Sequence, residues 1–108
     1  MKLYDVVSLL EVKEAQARAY CAYLNSKNVD YDLMQKCIDN YIDNMLESFI
    51  EEHKGVILED DKFRKEIRKY LLSISADKEY RDKRLFKAFY KKLNSYEETL
   101  VNQDELAM

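Results

Sequence analysis

Hydrophobic residues recur at three- and four-residue steps over the first quarter of the chain, which predicts an amphipathic helix from about residue 3 to residue 25. The main apolar stripe contains Leu3, Val6, Val7, Leu10, Ala17, Cys21 and Leu24. Roughly the opposite side carries Leu9, Val12, Ala19 and Tyr23. A helix that is apolar on two sides is usually packed between two neighbours, in its own fold or in an oligomer. The second stripe therefore predicts a homodimer.

One carboxylate interrupts the main stripe of this helix, because Glu14 falls among its apolar residues. A buried charge costs free energy unless it is paired. We therefore expect the Glu14 side chain to reach an arginine or a lysine, or to extend along the apolar surface to water.

A second helix is predicted from about residue 31 to residue 53, after a short loop over residues 26–30. Asp30 is the expected N-cap, since its carboxylate can accept from the free N–H groups of the first turn. Apolar positions cover well over half of this helix, namely Met34, Cys37, Ile38, Tyr41, Ile42, Met45, Leu46 and Phe49. A helix buried so widely contacts at least two partners. Gly55 is expected to end it in the left-handed conformation.

A third helix is predicted over about residues 61–73, after a short apolar connector at 56–58. The helix has an inward face of Phe63, Ile67, Tyr70, Leu71 and Ile74. A break is predicted at 73–77, because serines and an aspartate interrupt the pattern there. Ser75 or Asp77 is expected to cap the helix that follows.

A fourth helix is predicted over about residues 78–93, with an inner face of Leu85, Phe86, Phe89 and Leu93. The segment that follows has the Ser-x-x-Glu form of a capping box, from Ser95 to Glu98. Either a fifth short helix follows over about 96–101, or the fourth helix continues through this segment.

The fold class that follows is all-α, a single-domain antiparallel four-helix bundle, or a five-helix bundle if the last segment is separate. The chain has 108 residues, one glycine and no proline, so most β architectures are improbable. Residues 1–101 are expected to form the bundle domain, and residues 102–108 a frayed acidic tail. Cys21 and Cys37 are equidistant from Val29, so we expect two buried free thiols at similar height on facing helices.

Charge is segregated along the chain, although the whole carries a formal charge of −3. Residues 1–61 hold 6 basic and 13 acidic residues, whereas residues 62–92 hold 12 basic and 4 acidic residues. The second helix has acids at four-residue steps, which we name the acidic ladder: Asp39, Asp43, Glu47 and Glu51. The third and fourth helices supply a candidate basic face of Lys65, Arg68, Lys69, Tyr80, Lys83, Arg84, Lys87 and Lys91.

Three interpretations of this charge map remain open. The acidic and basic helices can neutralise each other across the surface of the bundle. Alternatively, the basic face binds nucleic acid, since lysines one turn apart can neutralise phosphates and Tyr80 can stack on a base. In the third interpretation the charged faces dock on a protein partner, and the acidic ladder imitates a phosphate backbone.

The residues that common catalytic sites require are scarce. The chain has one histidine, His53, so a two-histidine metal site cannot form within it. Phosphate-binding loops and nucleophile elbows need glycines that the sequence lacks. We therefore predict no enzyme activity, no metal and no cofactor. No segment has the length and apolarity of a membrane span or a signal peptide, so we expect a cytoplasmic protein.

These patterns together predict a small non-enzymatic helical protein that binds a protein partner through charged helical faces, as a regulatory or inhibitory adaptor. The alternative is a nucleic-acid-binding protein that uses residues 62–92. Accessory proteins of phages and mobile elements often have this size and composition, which is an analogy at the level of class.

Overall fold

The computed structural model describes residues 1–26 and 30–107 of the chain, and only the backbone of residues 104–107. Its helices are α1 (Leu3–Asn25), α2 (Tyr31–Glu52), α3 (Lys54–Ile57), α4 (Asp61–Ile74), a 3₁₀ helix (Glu79–Asp82) and α5 (Arg84–Ala107). The described residues contain no strand, and the predicted all-α class is confirmed. Of the predicted loop over 26–30, residues 27–29 lie outside the described part of the chain.

The first two long helices form an antiparallel hairpin. Asp30 is the N-cap of α2, as predicted, because its Oδ1 accepts from the backbone N–H of Asp32 at 3.0 Å and of Leu33 at 3.2 Å. Along the hairpin the Tyr20 and Tyr41 rings stack with their centroids 4.2 Å apart. The apolar stripes of the two helices thereby face each other.

The two remaining long helices complete the bundle. α4 and α5 are antiparallel, since Arg64 near the start of α4 approaches Glu97, whereas Arg68 one turn later donates to Asn94, which lies earlier in α5. Their core joins that of the hairpin, where the Phe49 and Phe89 rings meet edge to face at 5.8 Å. The predicted inner face of α5 is fully buried, at 0% exposure for Leu85, Phe86, Phe89 and Leu93. The predicted four-helix bundle is therefore confirmed.

The last helix differs from its prediction at both ends. Residues 79–82 form a 3₁₀ helix, and Lys83 leaves the helical region with ψ 78°, so α5 begins at Arg84 and not at residue 78. Asp77 caps the 3₁₀ helix, because its Oδ1 accepts from the Glu79 N–H at 3.0 Å. A separate fifth helix over 96–101 was the wrong alternative, since α5 continues without a break to Ala107. Fraying of residues 102–108 in solution stays a prediction.

The expected left-handed ending at Gly55 is wrong. Gly55 lies within the short helix α3, and its φ is not in the left-handed region. The helical path ends two residues earlier, at His53, whose φ of −122° and ψ of 21° end α2. The His53 carbonyl then accepts from the N–H groups of Val56 and Ile57, and this places Ile57 in the core at 0% exposure.

Glu14 connects two helices that are far apart in the sequence. Its side chain is buried at 5% exposure, and its carboxylate lies at the N-terminus of α5. Oε1 accepts from the Arg84 N–H at 3.1 Å and Oε2 from the Leu85 N–H at 2.8 Å. The expected basic partner is present only as Arg18, whose Nε is 4.0 Å away. The carboxylate is thus mainly an N-cap that α1 supplies to α5, where the helix dipole also favours a negative charge.

The two cysteines are free, but the expectation that both are buried is wrong for one of them. Cys21 is half-buried, and this burial raises the pKa of its thiol. Cys37 is exposed at the surface of α2. Its thiol therefore contributes little to the core.

Replacing Gly55 by alanine should stabilise the protein by about 0.5–1 kcal/mol, because alanine favours the helix and restricts the unfolded chain. An added Cβ would meet only the Glu59 Oε2 at 3.8 Å, which is ordinary contact. Urea unfolding of the wild type and Gly55→Ala measures the difference. A lower stability of the variant would show that Gly55 adopts the left-handed conformation after all.

Replacing Glu14 by alanine should destabilise the fold by about 2–4 kcal/mol, because the buried N–H of Leu85 and the partly buried N–H of Arg84 lose their acceptor. Glu14→Gln should cost less, since its amide oxygen can still accept from one of them. Glu11→Ala, one turn earlier and exposed, is the matched control and should change stability by less than about 0.5 kcal/mol. Equal losses for Glu14→Ala and Glu11→Ala in urea unfolding would contradict the capping role.

Candidate interaction surface

The acidic ladder of α2 lies beside the basic side chains of α5. The Asp39 and Arg84 side chains approach to 3.8 Å, and those of Glu47 and Lys92 approach to 3.9 Å. From the first pair to the second, the residue number rises by eight on α2 and by eight on α5. The two helices therefore run in the same direction, and their charged residues are in register. Two of the four ladder acids therefore have a basic neighbour within the same chain.

An open groove lies between α2 and α5, midway along the acidic ladder and the basic residues of α5. Asp43 from the acidic ladder lines it, with Lys87 and Lys91 from α5, and the groove has a volume of about 520 Å³. Lys91 is exposed and has no ion pair among the described residues, whereas Lys87 is half-buried and donates to the Arg81 carbonyl at 2.7 Å. An acidic residue and two basic residues therefore line the same accessible groove.

Glu51 extends the ladder beyond the groove. It is exposed and makes no ion pair within the part of the chain that the structure describes. The last turn of α2 therefore presents its acid to solvent.

The three residues that α4 contributes to the predicted basic face differ in whether they form ion pairs. Lys65 pairs with Asp61 at 3.1 Å, and its hydrogen bond lowers the pKa of the Asp61 carboxyl. Arg68 pairs with Glu97 at 3.0 Å. Lys69 is exposed, with no ion pair to any described residue.

Arg68 connects the α4 part of the basic face to the α5 part. Its Nε donates to the Asn94 Oδ1 at 2.7 Å, and Asn94 lies one turn after Lys91 on the same side of α5. The guanidinium therefore reaches the flank of α5 that carries Lys91, and the basic face is continuous between the two helices.

Two residues of the predicted basic face are largely buried and are not available for binding at the surface. Tyr80 does not project from the surface, since it lies in the 3₁₀ helix at 6% exposure, where burial raises the pKa of its phenol. The late start of α5 explains this, because it turns Tyr80 inward. Lys83 is 25% exposed, lies 3.8 Å from Glu11 and covers the Phe86 ring at 4.8 Å. Stacking of Tyr80 on a base is therefore excluded in this conformation.

Sequence reasoning missed the groups that hold Arg68. Glu97 on α5 binds Arg68 and also approaches Arg64, whose Nε is 3.6 Å from its Oε1. Arg64 is 2% exposed and also donates to the Leu58 carbonyl and to the Asp61 carboxylate. Its guanidinium lies 5.1 Å from the centre of the Tyr96 ring. The available signal was the position of Arg64 on the inward side of α4, next to Ile67.

The sequence pattern also did not indicate that Lys92 forms an ion pair on this surface. It belongs to the four-residue step that begins at Arg84, and this step faces α2, whereas Lys87 and Lys91 line the groove and make no ion pair with the described residues of α2. The same spacing in Asp39 and Glu47 was the signal that the two series could pair.

Other kinds of site are not found in the described part of the chain. Among the side chains that the structure describes, no three His, Cys, Asp or Glu residues lie close enough to share a metal ion. None of the described helices combines the length and the apolarity that crossing a membrane requires. Comparisons with protein-family models, curated proteins and solved structures find no significant match to the chain. The surface itself therefore carries the functional argument.

Replacing Glu97 by alanine should destabilise the protein by about 2 kcal/mol, because Arg64 stays buried with less compensating charge. The loss should be smaller than the roughly 3–5 kcal/mol typical of a buried pair that loses its one partner, since Asp61 remains. Glu98→Ala changes the exposed neighbour and is the control. If thermal unfolding shows the same midpoint for Glu97→Ala and Glu98→Ala, the Arg64–Glu97 contact does not stabilise the fold.

Proposed function

We propose that the protein is a non-enzymatic binding protein that docks on a protein partner through the surface formed by α2 and α5. It would act in the cytoplasm as a regulatory or inhibitory adaptor. The observation that carries the proposal is the placement of the acidic ladder directly beside the exposed lysines of α5. The preferred partner is a protein segment that presents both an acid and a base at matching spacing.

The mixed sign of this surface favours a protein over a nucleic acid. A phosphate that reached Lys91 or Lys87 would lie on the same groove as Asp43. Charges within one Debye length, about 8 Å at physiological salt, are only partly screened from each other, so Asp43 would repel the phosphate. A protein surface can place a carboxylate at the lysine and a cation at Asp43, and such complementarity also steers association.

The ion pairs along this surface can be exchanged at little cost. Asp39–Arg84 and Glu47–Lys92 are exposed and separated by 3.8–3.9 Å, so each contributes about 0–1 kcal/mol. A partner can therefore replace one member of each pair without unfolding the bundle. The same pairs offset half of the ladder's charge, and this argues against imitation of a phosphate backbone.

One observation favours the alternative, binding of nucleic acid by residues 62–92. Lys69 and Lys91 are exposed without ion pairs among the described residues, and Arg68 lies between the helices that carry them. Phosphate contacts there would bind without reading sequence.

Replacing Lys91 by glutamate should abolish capture of the protein partner, because it reverses the charge that the groove presents. The immobilised wild type, Lys91→Glu and Lys54→Glu are compared on nuclease-treated lysate of the source cells. Lys54→Glu makes the same charge change at an exposed position on α3, away from the groove, and should capture as the wild type does. We expect a defined protein, identified by mass spectrometry, that Lys91→Glu alone fails to retain.

Two outcomes contradict the proposal. In the first, capture by Lys91→Glu equals capture by Lys54→Glu, so the groove is not the docking surface. In the second, capture requires untreated lysate, and a gel shift with duplex DNA or RNA weakens steeply between two salt concentrations. That result would establish the nucleic-acid alternative.

A further inference from the structure

After Asp5, the side of α1 that faces away from the bundle is exposed and carries no charge for about four turns. Between residues 8 and 22 the side chains exposed there are Leu9, Val12, Ala15, Gln16, Ala19 and Ala22. Leu9 is 37% exposed and Val12 is 56% exposed. In a chain of which 36% of the residues are charged, an exposed helix face four turns long without charge is unusual. We name these six residues the outer face of α1.

The charged residues of α1 lie at the margin of the outer face. At 100° per residue, Glu11 and Arg18 fall on the same edge, two turns apart. Their side chains are 58% and 57% exposed. Glu11 approaches Lys83 only to 3.8 Å, and Arg18 approaches Glu14 only to 4.0 Å. Both charges are therefore available to a molecule that covers the outer face.

We propose that a second copy of this chain covers the outer face of α1, with the two α1 helices antiparallel about a two-fold axis near residue 14. A two-fold interface must be complementary to itself. An axis at this point places Glu11 of each copy opposite the partner's Arg18, so two intermolecular ion pairs form at once. An acid and a base on the same edge of one helix are what this symmetry requires.

The same axis matches large residues with small ones. An axis at residue 14 places Leu9 level with the partner's Ala19, and it brings Val12 within one residue, about 1.5 Å, of the level of the partner's Ala15. Alanines let two helix backbones approach closely, and the larger side chains then fill the space beside them. Parallel pairing in register would place Glu11 and the partner's Arg18 on opposite edges of the contact, so the two intermolecular ion pairs could not form. It would also place small residues at the same level on both helices and leave a gap, so the antiparallel arrangement is preferred.

The dimer does not depend on the proposed function. α1 packs on α2 and α5 with the side opposite its outer face, so self-association leaves the groove between α2 and α5 open. A single pair of helices is at the small end of stable interfaces, so association should depend on protein concentration.

Sedimentation equilibrium of the full chain tests the dimer directly. The mass should rise from 13.0 kDa towards twice that value as the concentration is raised from about 10 µM to about 1 mM. Ala19→Arg places a large charged side chain on the outer face and should keep the protein monomeric throughout. Asn44→Arg also introduces an arginine, on the exposed side of α2, and should dimerise as the wild type does. A wild-type mass of 13.0 kDa at all concentrations, or Ala19→Arg dimerising like Asn44→Arg, would overturn the proposal.

A charge swap tests the antiparallel arrangement. Glu11→Arg should lose the dimer, because the introduced guanidinium would face the partner's Arg18. The double variant Glu11→Arg/Arg18→Glu should regain the dimer with the charges exchanged. Far-UV circular dichroism establishes that both variants keep the helix content of the wild type. If the folded double variant is no more dimeric than Glu11→Arg, the antiparallel pairing is wrong. A Glu11→Arg variant that dimerises as the wild type does would also contradict it.

Discussion

The position of the last helix depends on a carboxylate from the first. α5 begins after Lys83, which has no side chain suited to capping, and its first N–H groups lie against α1, where that of Leu85 is buried and that of Arg84 is partly buried. Glu14 satisfies two of them, so a charge that would be costly in an apolar stripe becomes the acceptor that fixes where α5 starts. Four apolar residues of α5 are then fully buried.

This start also sets the register of the charged surface. Arg84, whose N–H binds Glu14, carries the side chain that faces Asp39, and Lys92 follows two turns later opposite Glu47. The pairs are too exposed to stabilise the bundle by much. Their importance lies in their arrangement, because alternating signs along one groove discriminate between kinds of partner. The N-terminus of α5 therefore takes part both in the buried contact with Glu14 and in the proposed docking surface.

The sequence predicts the helices well where apolar spacing is regular, as in α1 and α2, and where an acid can cap locally, as Asp30 does. It predicts helix bounds less well where the contact that sets them comes from a residue far away in the sequence. Nothing near Lys83 indicates a helix start, because the cap comes from Glu14, and periodicity consequently places Tyr80 on the surface. Of the basic face, the positions of Lys69 and Lys91 follow from periodicity. The contacts of Arg68 with Glu97 and Asn94 depend on how α4 packs, which periodicity does not specify.

Amide hydrogen exchange of the native protein, resolved by residue, tests the capping contact most directly. Amides in the first turn of a helix usually exchange rapidly, since they lack an acceptor within the helix. If Glu14 caps α5, the N–H groups of Arg84 and Leu85 should exchange as slowly as those in the middle of α5. Rapid exchange of both, beside a protected Phe89, would show that the carboxylate does not hold the start of this helix.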